Sequence, residues 1–311
     1  MQNKYLPEGY LYGTMENREY LSTLKGLENA KREGKILEGV VTMCDSATLD
    51  LHVDLYGIKG IIPKSESVYC DKIKDIAIIT RVGKPVSFKV MDIIKKENEK
   101  PIVILSRREA QRECVANYLM DLTLGDIIPA KITHFEQFGA FVDVGCGVAS
   151  LLSIDSISIS RISNPNERFS LREELKVIVK DIDYETGRLS VSTKELFGTW
   201  EENIAAFSVG QTVSGVIRSI EDYGIFVELT PNLAGLAELY DGAYVGQSCA
   251  VYIKSIIPEK MKIKLVIIDT YDTATKKITN EDYYINTNTV THIDYWKYSP
   301  EQSSKIVETV F

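Results

Sequence analysis

The stretch that decides the fold comprises GDIIPAKITHFEQFGAFVDVGCGVASLL at residues 125–152 and LKVIVKDIDYETGRLSVSTK at residues 175–194. Short β-branched and aromatic runs alternate apolar with polar residues, and turns that contain glycine separate them. This alternation is typical of strands that bury one face, and several such strands in sequence predict a small antiparallel barrel. The outward face of the barrel is then the place to look for function.

Two other segments repeat this stretch. Its opening GDIIPAKI, at Gly125, returns as GKILEGVV at Gly34 and as GQTVSGVI at Gly210. The central FGAFVDV returns as YGIFVEL, and the closing RLSVSTK returns as VILSRRE and, more loosely, as MKIKLVI. A repeated module indicates that one supersecondary unit occurs three times.

These repeated residues resemble the S1 RNA-binding domain family of oligonucleotide-binding barrels. The resemblance rests on the glycine-led first strand, the FGAFV turn, the GLAEL of the third copy and the GRLSVS closing strand. It implies a mainly β fold of three five-stranded barrels joined by short α-helices. The predicted units are an extension and helix (1–33), barrel one (34–107), a helical connector (108–124), barrel two (125–194), a second connector (195–209), barrel three (210–268) and a C-terminal extension (269–311).

Composition sets limits on the class of protein. The chain has 311 residues, of which 44% are hydrophobic and 26% charged, as in folded soluble proteins. No apolar run approaches the 18 or so residues that cross a bilayer, and the N-terminus lacks the layout of a signal peptide, so we expect a cytoplasmic protein without membrane contact. The five cysteines are scattered and never form a CxxC pair, which predicts reduced thiols and no zinc site.

Catalytic and cofactor motifs are missing from the sequence. It contains no GxxxxGK[ST], HExxH or GxSxG, and we therefore predict no enzyme activity, no cofactor and no metal. The net charge of −8 argues mildly against nucleic acid, because Lys and Arg drive phosphate binding by releasing counterions. A local basic groove on an acidic body is compatible with that charge and predicts moderate, salt-sensitive affinity.

Barrel two holds the strongest candidate site. Phe138 and Phe141 match the two positions at which the family stacks bases, and such stacks contribute about 1–3 kcal/mol each. Residues three apart point to opposite faces of an extended strand, so the two rings share a surface only if the backbone bends near Gly139. On strand periodicity alone, Phe141 fits a core position equally well.

Polar residues complete the predicted groove of barrel two. Asp183 and Arg188 match an acidic and a basic position beside the family's RNA groove. Lys131 and His134 on the first strand are further candidates, with a solvated strand edge as the simpler interpretation. The family's histidine after the glycine-leucine turn is replaced by Ser153.

Barrel three repeats the aromatic pair and barrel one lacks it. The predicted RNA-binding residues of barrel three are Tyr223, Phe226, Arg218, Lys254 and Lys262, with Glu238 where the family has a histidine. In barrel one, Leu49 and His52 occupy the aromatic positions and Pro63 that of the histidine. The resemblance then implies a module that docks on the small ribosomal subunit or on another protein.

Several segments outside the barrels carry weaker expectations. An aromatic cluster near the N-terminus, Tyr5, Tyr10 and Tyr12, predicts a strap that packs over barrel one. Trp200 is predicted to be a packing anchor between barrels. Arg161 and Arg168, in the long loop of barrel two, are placed to reach RNA. The basic cluster Arg107, Arg108 and Arg112 fits either phosphate contact or a solvated helix face. The alternating tail predicts a strand that extends the sheet of barrel three and uses His292 and Trp296 for packing.

Three functions remain open from the sequence. The first is a non-catalytic protein of translation that binds single-stranded RNA, such as mRNA, on the aromatic pairs of barrels two and three. The alternative is a protein-interaction scaffold whose barrels have lost RNA affinity, which the acidic charge and the missing histidines favour. A binder of single-stranded DNA is a weaker third possibility, since stacking discriminates poorly between the two sugars.

Overall fold

A computed structural model describes residues 4–70, 74–95, 97–273, 277 and 279–311. It contains three closed five-stranded barrels, and the helices between them are short. The predicted fold class is therefore confirmed. Within the described ranges, no helix has the length and apolar character needed to cross a lipid bilayer.

Barrel one contains a hairpin that the sequence predicts at Tyr56–Gly57. Both residues have positive φ angles, 53° and 91°, as a two-residue type I′ turn requires. The first and fifth strands close the barrel through the fourth, and the third and fifth strands run parallel. The strands are β1 (Ile36–Cys44), β2 (Leu51–Leu55), β3 (Ile58–Ile62), β4 (Pro85–Ile94) and β5 (Ile102–Ser106).

Barrels two and three repeat this strand order. Barrel two consists of β6 (Ile127–Glu136), β7 (Gly139–Asp143), β8 (Ala149–Ser153), β9 (Glu174–Asp183) and β10 (Arg188–Ser192). Barrel three consists of β11 (Thr212–Glu221), β12 (Gly224–Thr230), β13 (Leu233–Ala237), β14 (Ser248–Ile257) and β15 (Lys262–Tyr271). The last strand of barrel three thus continues beyond residue 268.

A β-bulge occurs at one place in the first strand of every barrel. The extra residue is Thr42 in β1, Thr133 in β6 and Arg218 in β11. A bulge bends the strand and redirects the side chains that follow it. As a result, Met43, His134 and Ser219 are equivalent residues, each opposite the second aromatic position of its barrel.

Among the described residues, five short α-helices connect or cover the barrels. The N-terminal helix that the sequence predicts is two helices, because Thr23 starts a new one by accepting a hydrogen bond from the Gly26 N–H. Trp200, the predicted anchor, is buried in the core of barrel three. The helices are α1 (Met15–Leu21), α2 (Leu24–Glu33), α3 (Asp75–Ile79), α4 (Arg107–Asn117) and α5 (Trp200–Ile204).

The N-terminal segment lies between barrels one and two, so the prediction of a strap over barrel one alone is wrong. Tyr5 packs in the core of barrel two. The Glu8 carboxylate accepts hydrogen bonds from Arg107 at 2.6 Å and from the Ser87 N–H of barrel one, while the Glu8 N–H donates to Asp143 of barrel two. Arg107 is 1% exposed, so it is a structural cation and not a phosphate contact.

A second buried ion pair joins barrels two and three. Arg168, in the loop before β9, donates through both terminal nitrogens to Glu228 of β12 at 2.5 Å, and Arg218 contacts the same carboxylate. The Arg168 side chain is 2% exposed. The expectation that Arg168 reaches RNA is therefore wrong, because its guanidinium is buried and bonded to Glu228.

Among the residues described after β15, none adds a strand to barrel three, contrary to the prediction for the C-terminal segment. This segment forms its own two-stranded sheet, β16 (Tyr295–Lys297) with β17 (Glu308–Val310), and a bridge between His292 and Asp126 ties it to barrel two. Hydrogen bonds to Asp126 and Asp294 raise the pKa of His292. Trp296 packs against the core of barrel three, so its assignment to packing agrees with the structure.

We expect Glu228→Gln to destabilise the junction between barrels two and three. The substitution leaves the Arg168 guanidinium buried without its counter-charge and Arg218 with Glu167 alone. Removing one member of a buried pair costs about 3 kcal/mol or more. Urea unfolding followed by far-UV circular dichroism measures this loss. The control is Glu238→Gln, at a carboxylate that is 81% exposed, for which we expect a change within about 0.5 kcal/mol. Equal behaviour of the two variants would contradict the importance of the pair.

Candidate nucleic-acid interface

Two phenylalanine rings form an exposed platform on barrel two. Phe138 lies in the turn before β7 and is 56% exposed, and Phe141 lies on β7. Their ring centroids are 6.1 Å apart and the rings are nearly perpendicular, at 86°. Because Phe138 precedes the strand, it escapes strand alternation, and the two rings share one surface. The backbone bend predicted near Gly139 thus lies in the turn.

Gly139 allows this approach of the two strands. A Cβ atom at this position would lie 2.4 Å from the carbonyl oxygen of Leu152, on the neighbouring strand β8. Gly224 has the same role in barrel three, where a Cβ would lie 2.5 Å from the carbonyl oxygen of Ala237. No other residue fits without moving the backbone at either position.

His134 adds a third ring to the platform of barrel two. The bulge at Thr133 places His134 opposite Phe141, and the two rings stack with centroids 4.5 Å apart at 9°. Burial, with the nearby cations Arg81 and Lys84, lowers the pKa of His134. This direction favours the neutral imidazole, whose face stacks on the Phe141 ring. We call Phe138, Phe141 and His134 the barrel-two platform.

Barrel three reproduces the aromatic pair with almost the same geometry. The centroids of Tyr223 and Phe226 are 6.2 Å apart at 90°, and Tyr223 is 70% exposed. Ser219 occupies the place of His134, so the third ring is missing. The platform of barrel three is thus smaller than that of barrel two.

In barrel one the equivalent surface is one imidazole, His52, among aliphatic side chains. His52 pairs with Met43 and Ile61, in the register that Phe141 has with His134 and Leu151. Ile104 of β5 follows in the same row. Leu49, at the other predicted position, is half-buried against the barrel-one core. This face offers no stacked pair of rings.

The basic residues of the closing strands lie beside the platforms. In barrel two, Phe141 is followed across the sheet by Leu151 and Ser190, with the exposed Arg188 two residues before Ser190. In barrel three, Lys264 takes the place of Ser190 and Lys262 that of Arg188. Asp183 pairs with Arg188 across the β9–β10 turn, and its hydrogen bonds to Thr186 lower its pKa.

Two predicted cations are engaged within the protein. The Arg218 side chain is 6% exposed and contacts Glu228 at 2.9 Å and Glu167 at 2.6 Å. Lys131 is 19% exposed and donates to the Glu8 carbonyl at 3.3 Å, with Glu174 at 3.5 Å. Neither belongs to the free basic surface, because each holds two parts of the fold together. Their predicted contact with RNA therefore stays a prediction, and it competes with these internal partners.

Two other lysines are better placed, and the internal repeats contain the signal for them. Lys180 in β9 and Lys254 in β14 sit at equivalent irregularities of the barrel, within VKDI and IKSI. Lys180 donates to Ser156 at 3.0 Å, and Lys254 lies 3.6 Å from Glu238. An alignment of the fourth strands of barrels two and three places Lys180 at the position of Lys254, so the predicted Lys254 already indicates Lys180. Lys264 follows in the same way from the row that contains Phe226.

Ser153 and Glu238 mark the difference between the two platforms. Ser153 pairs with Gly139, next to Phe138, and donates to Ser156. Glu238 follows Ala237, the partner of Ile225, and its side chain is 81% exposed. A carboxylate at this place repels phosphate and neutralises Lys254, so barrel three presents a weaker basic surface than its lysines suggest. Among the described residues, no group of three or more His, Cys, Asp or Glu is arranged to hold a metal ion.

Comparison with known proteins identifies the family that the barrels resemble. The model of the family described as S1 RNA binding domain matches residues 31–108 and 121–194, that is, barrels one and two. The small ribosomal subunit protein bS1 of Staphylococcus aureus (strain COL) is 30% identical over 270 residues, which are 81% of this chain and 66% of that protein. The bS1 protein of Streptococcus pneumoniae (strain ATCC BAA-255 / R6) is 31% identical over 234 residues, 71% of this chain and 56% of its own.

The chain thus spans two thirds or less of the length of these curated relatives. Among solved structures, a multidomain protein with nucleic acid binding domains from Streptococcus pneumoniae TIGR4 covers 76% of this chain and 73% of its own, at 13% identity and a TM-score of 0.24. A superposition at that score adds nothing to the assignment.

We expect Glu238→Ser, which copies barrel two into barrel three, to strengthen binding of a labelled single-stranded RNA dodecamer about threefold at 50 mM salt. The physical reason is that the substitution removes a repulsive charge and frees Lys254 for phosphate. Fluorescence anisotropy measures the affinity, and the gain should vanish at high salt. Unchanged affinity at low salt would show that barrel three does not contact the strand here.

Proposed function

This chain belongs to the S1 RNA-binding domain family, and we propose that it is a non-catalytic protein of translation that binds single-stranded RNA, mRNA in particular, on the platforms of barrels two and three. The observation that carries the proposal is the duplicated aromatic pair, with centroid distances of 6.1 and 6.2 Å and one largely exposed ring in each barrel. Rings left in water at equivalent places of two repeats are suited to stacking on bases.

The cations around each platform support the same function. Arg188 and Lys180 in barrel two, and Lys254, Lys262 and Lys264 in barrel three, are exposed beside the rings. Phosphates of a strand whose bases stack on the rings then meet Lys and Arg along its backbone. The acidic net charge does not oppose this locally, because several carboxylates are buried inside the protein, including Glu8, Asp143 and Glu228.

Barrel two is the primary site in this proposal. It has three rings, and Ser153 beside Phe138 carries no charge. Barrel three has two rings and an exposed Glu238. Stacking contributes about 1–3 kcal/mol for each base and accepts all four, so we expect broad sequence tolerance with barrel two dominant.

We expect the double variant Phe138→Ala/Phe141→Ala to lose tenfold or more in affinity for a labelled RNA dodecamer, because two stacking surfaces disappear. Tyr223→Ala/Phe226→Ala should lose less. Fluorescence anisotropy across a salt series measures both, and circular dichroism checks that each variant is folded. Tyr295→Ala is the matched control, since it removes a ring that is 49% exposed on the C-terminal sheet.

The alternative function, a protein-interaction scaffold, predicts that the Phe138→Ala/Phe141→Ala substitution has no effect on RNA affinity. If wild type binds no RNA at low salt, or if wild type and Phe138→Ala/Phe141→Ala bind equally, RNA binding at the platform is excluded. The chain would then be a protein-interaction module, and its partners would be proteins.

A second role is proposed for barrel one, as a contact to the small ribosomal subunit. Its outward face lacks the aromatic pair of the other barrels and is mostly apolar around His52, since Met43, Met91 and Ile94 are 47%, 43% and 39% exposed. Exposed apolar side chains of this kind are suited to a protein surface. The similarity to bS1 proteins, whose name refers to the small ribosomal subunit, favours that partner.

We expect Met43→Lys/Met91→Lys to abolish co-sedimentation with small ribosomal subunits, because two charges would be buried in an apolar contact. Affinity for the free RNA dodecamer should not fall, since the variant removes neither a ring nor a cation. The measurement is sucrose-cushion sedimentation with purified subunits. Co-sedimentation that persists in this variant but disappears in Phe138→Ala/Phe141→Ala would assign ribosome contact to RNA binding instead.

A further inference from the structure

A cleft with a volume of about 240 Å³ lies where barrels one and two meet. Four basic side chains line it, Arg81 and Lys84 from barrel one and Lys131 and Arg172 from barrel two. The carboxylates in its lining, Glu8 and Asp143, are 6% and 3% exposed and accept hydrogen bonds within the protein. The accessible charge of this junction cleft is therefore positive.

Lys84 and Arg172 are the two cations available to a ligand. Arg81 contacts Glu8 at 3.6 Å and Lys131 contacts Glu174 at 3.5 Å. In the part of the chain that the structure describes, no ion pair within 4 Å involves Lys84 or Arg172. Partial burial, followed by the charges of Arg81 and Arg172, lowers the pKa of Lys84. Like charges without a counter-ion favour the binding of an anion.

The three repeats show that Arg172 is unusual. Gly83, Arg172 and Gly246 are equivalent, since the N–H of each donates to the first strand of its barrel, at Val41, Ile132 and Ile217. Their φ angles are 75°, 66° and 91°, a region that glycine adopts freely and other residues adopt with strain. Barrels one and three use glycine there, and only barrel two carries a long basic side chain. A strained backbone conformation at Arg172, which the other two repeats avoid with glycine, indicates that the arginine side chain has a function.

The junction cleft is continuous with the barrel-two platform through Thr133. Thr133 lines the cleft, and its hydroxyl donates to the Phe141 carbonyl at 2.9 Å and lies 3.2 Å from Nδ1 of His134. The charges of Arg81 and Lys84 also act on the His134 pKa, in addition to its burial. The junction cleft is therefore adjacent to an RNA strand whose bases stack on the barrel-two platform.

We propose that the junction cleft binds backbone phosphates of the same RNA strand whose bases stack on the barrel-two platform, with Lys84 and Arg172 as the contacting cations. This inference rests on the proposed function and extends the site from one barrel to the interface of two. It also gives barrel one a part in RNA binding although it lacks a ring pair. The site exists only when the two barrels are docked, because each contributes one of the cations.

Arg172→Gly tests the proposal without risk to the fold. Glycine occupies this position in the other barrels, so the melting temperature should stay the same or rise. We expect affinity for RNA dodecamers of uridine and of adenosine to fall about fivefold at 0.1 M salt, equally for both. The slope of log K against log salt should decrease by about 0.7, the value for one phosphate contact to a single strand.

Adding Lys84→Ala should roughly double the change in slope, to about 1.4. Arg172→Lys keeps the charge with the same backbone strain and should retain the wild-type slope. Lys305→Ala removes an exposed charge on the C-terminal segment and should change neither affinity nor slope. These controls separate local phosphate contact from a general change in net charge.

The outcomes distinguish the cleft from the platform. An unchanged affinity and slope in Arg172→Gly, with binding still lost in Phe138→Ala/Phe141→Ala, overturns the junction cleft and leaves the proposed function intact. A weaker affinity without a change in slope also overturns it, since phosphate contact requires counterion release. Absence of RNA binding by wild type removes both proposals together.

Discussion

Two buried guanidinium–carboxylate pairs, Arg107 with Glu8 and Arg168 with Glu228, are the interactions on which the arrangement of the barrels depends. Each arginine is 1–2% exposed and reaches its carboxylate over 99 or 60 residues of sequence. A charge removed from water is tolerated only with a partner in good geometry, and the partner is on another module. Separation of the modules would leave these groups unsatisfied, so we infer that the pairs hold neighbouring barrels in one docked geometry.

Two carboxylates on the platform strands, Asp143 and Glu228, connect the junctions to the platforms. Asp143 is two residues after Phe141 on β7, and Glu228 is two residues after Phe226 on β12. Asp143 accepts the Glu8 N–H of the N-terminal segment, and Glu228 accepts Arg168 of the barrel-two loop. Each platform strand therefore also carries the acid that docks the preceding segment. A strand fixed in this way presents its rings at a defined angle to the neighbouring module, which is what a continuous path for RNA requires.

The repeats separate what the fold needs from what a particular barrel does. All three barrels keep the strand order and the bulge in the first strand. The outward-facing residue opposite the bulge differs between the barrels: it is His52 in barrel one, Phe141 in barrel two and Phe226 in barrel three. The left-handed position before the fourth strand varies too, with arginine in barrel two and glycine in the others. Outward positions are free to differ because they do not contribute to the barrel core, so the repeats can specialise on their surfaces.

The sequence by itself determined the three barrels, the turn at Tyr56–Gly57, the packing role of Trp200 and the two aromatic pairs. These features are local, since alternation, turn residues and a three-residue spacing are set within one module. Only the tertiary structure decided which outward charges are free. Lys131, Arg168 and Arg218 look like cations for RNA in the sequence, but each has a carboxylate partner inside the protein. Glu174 is the partner of Lys131, and Glu228 is the partner of both arginines. The junction cleft and the path of the tail were also hidden, because docking between modules depends on contacts that no local pattern records.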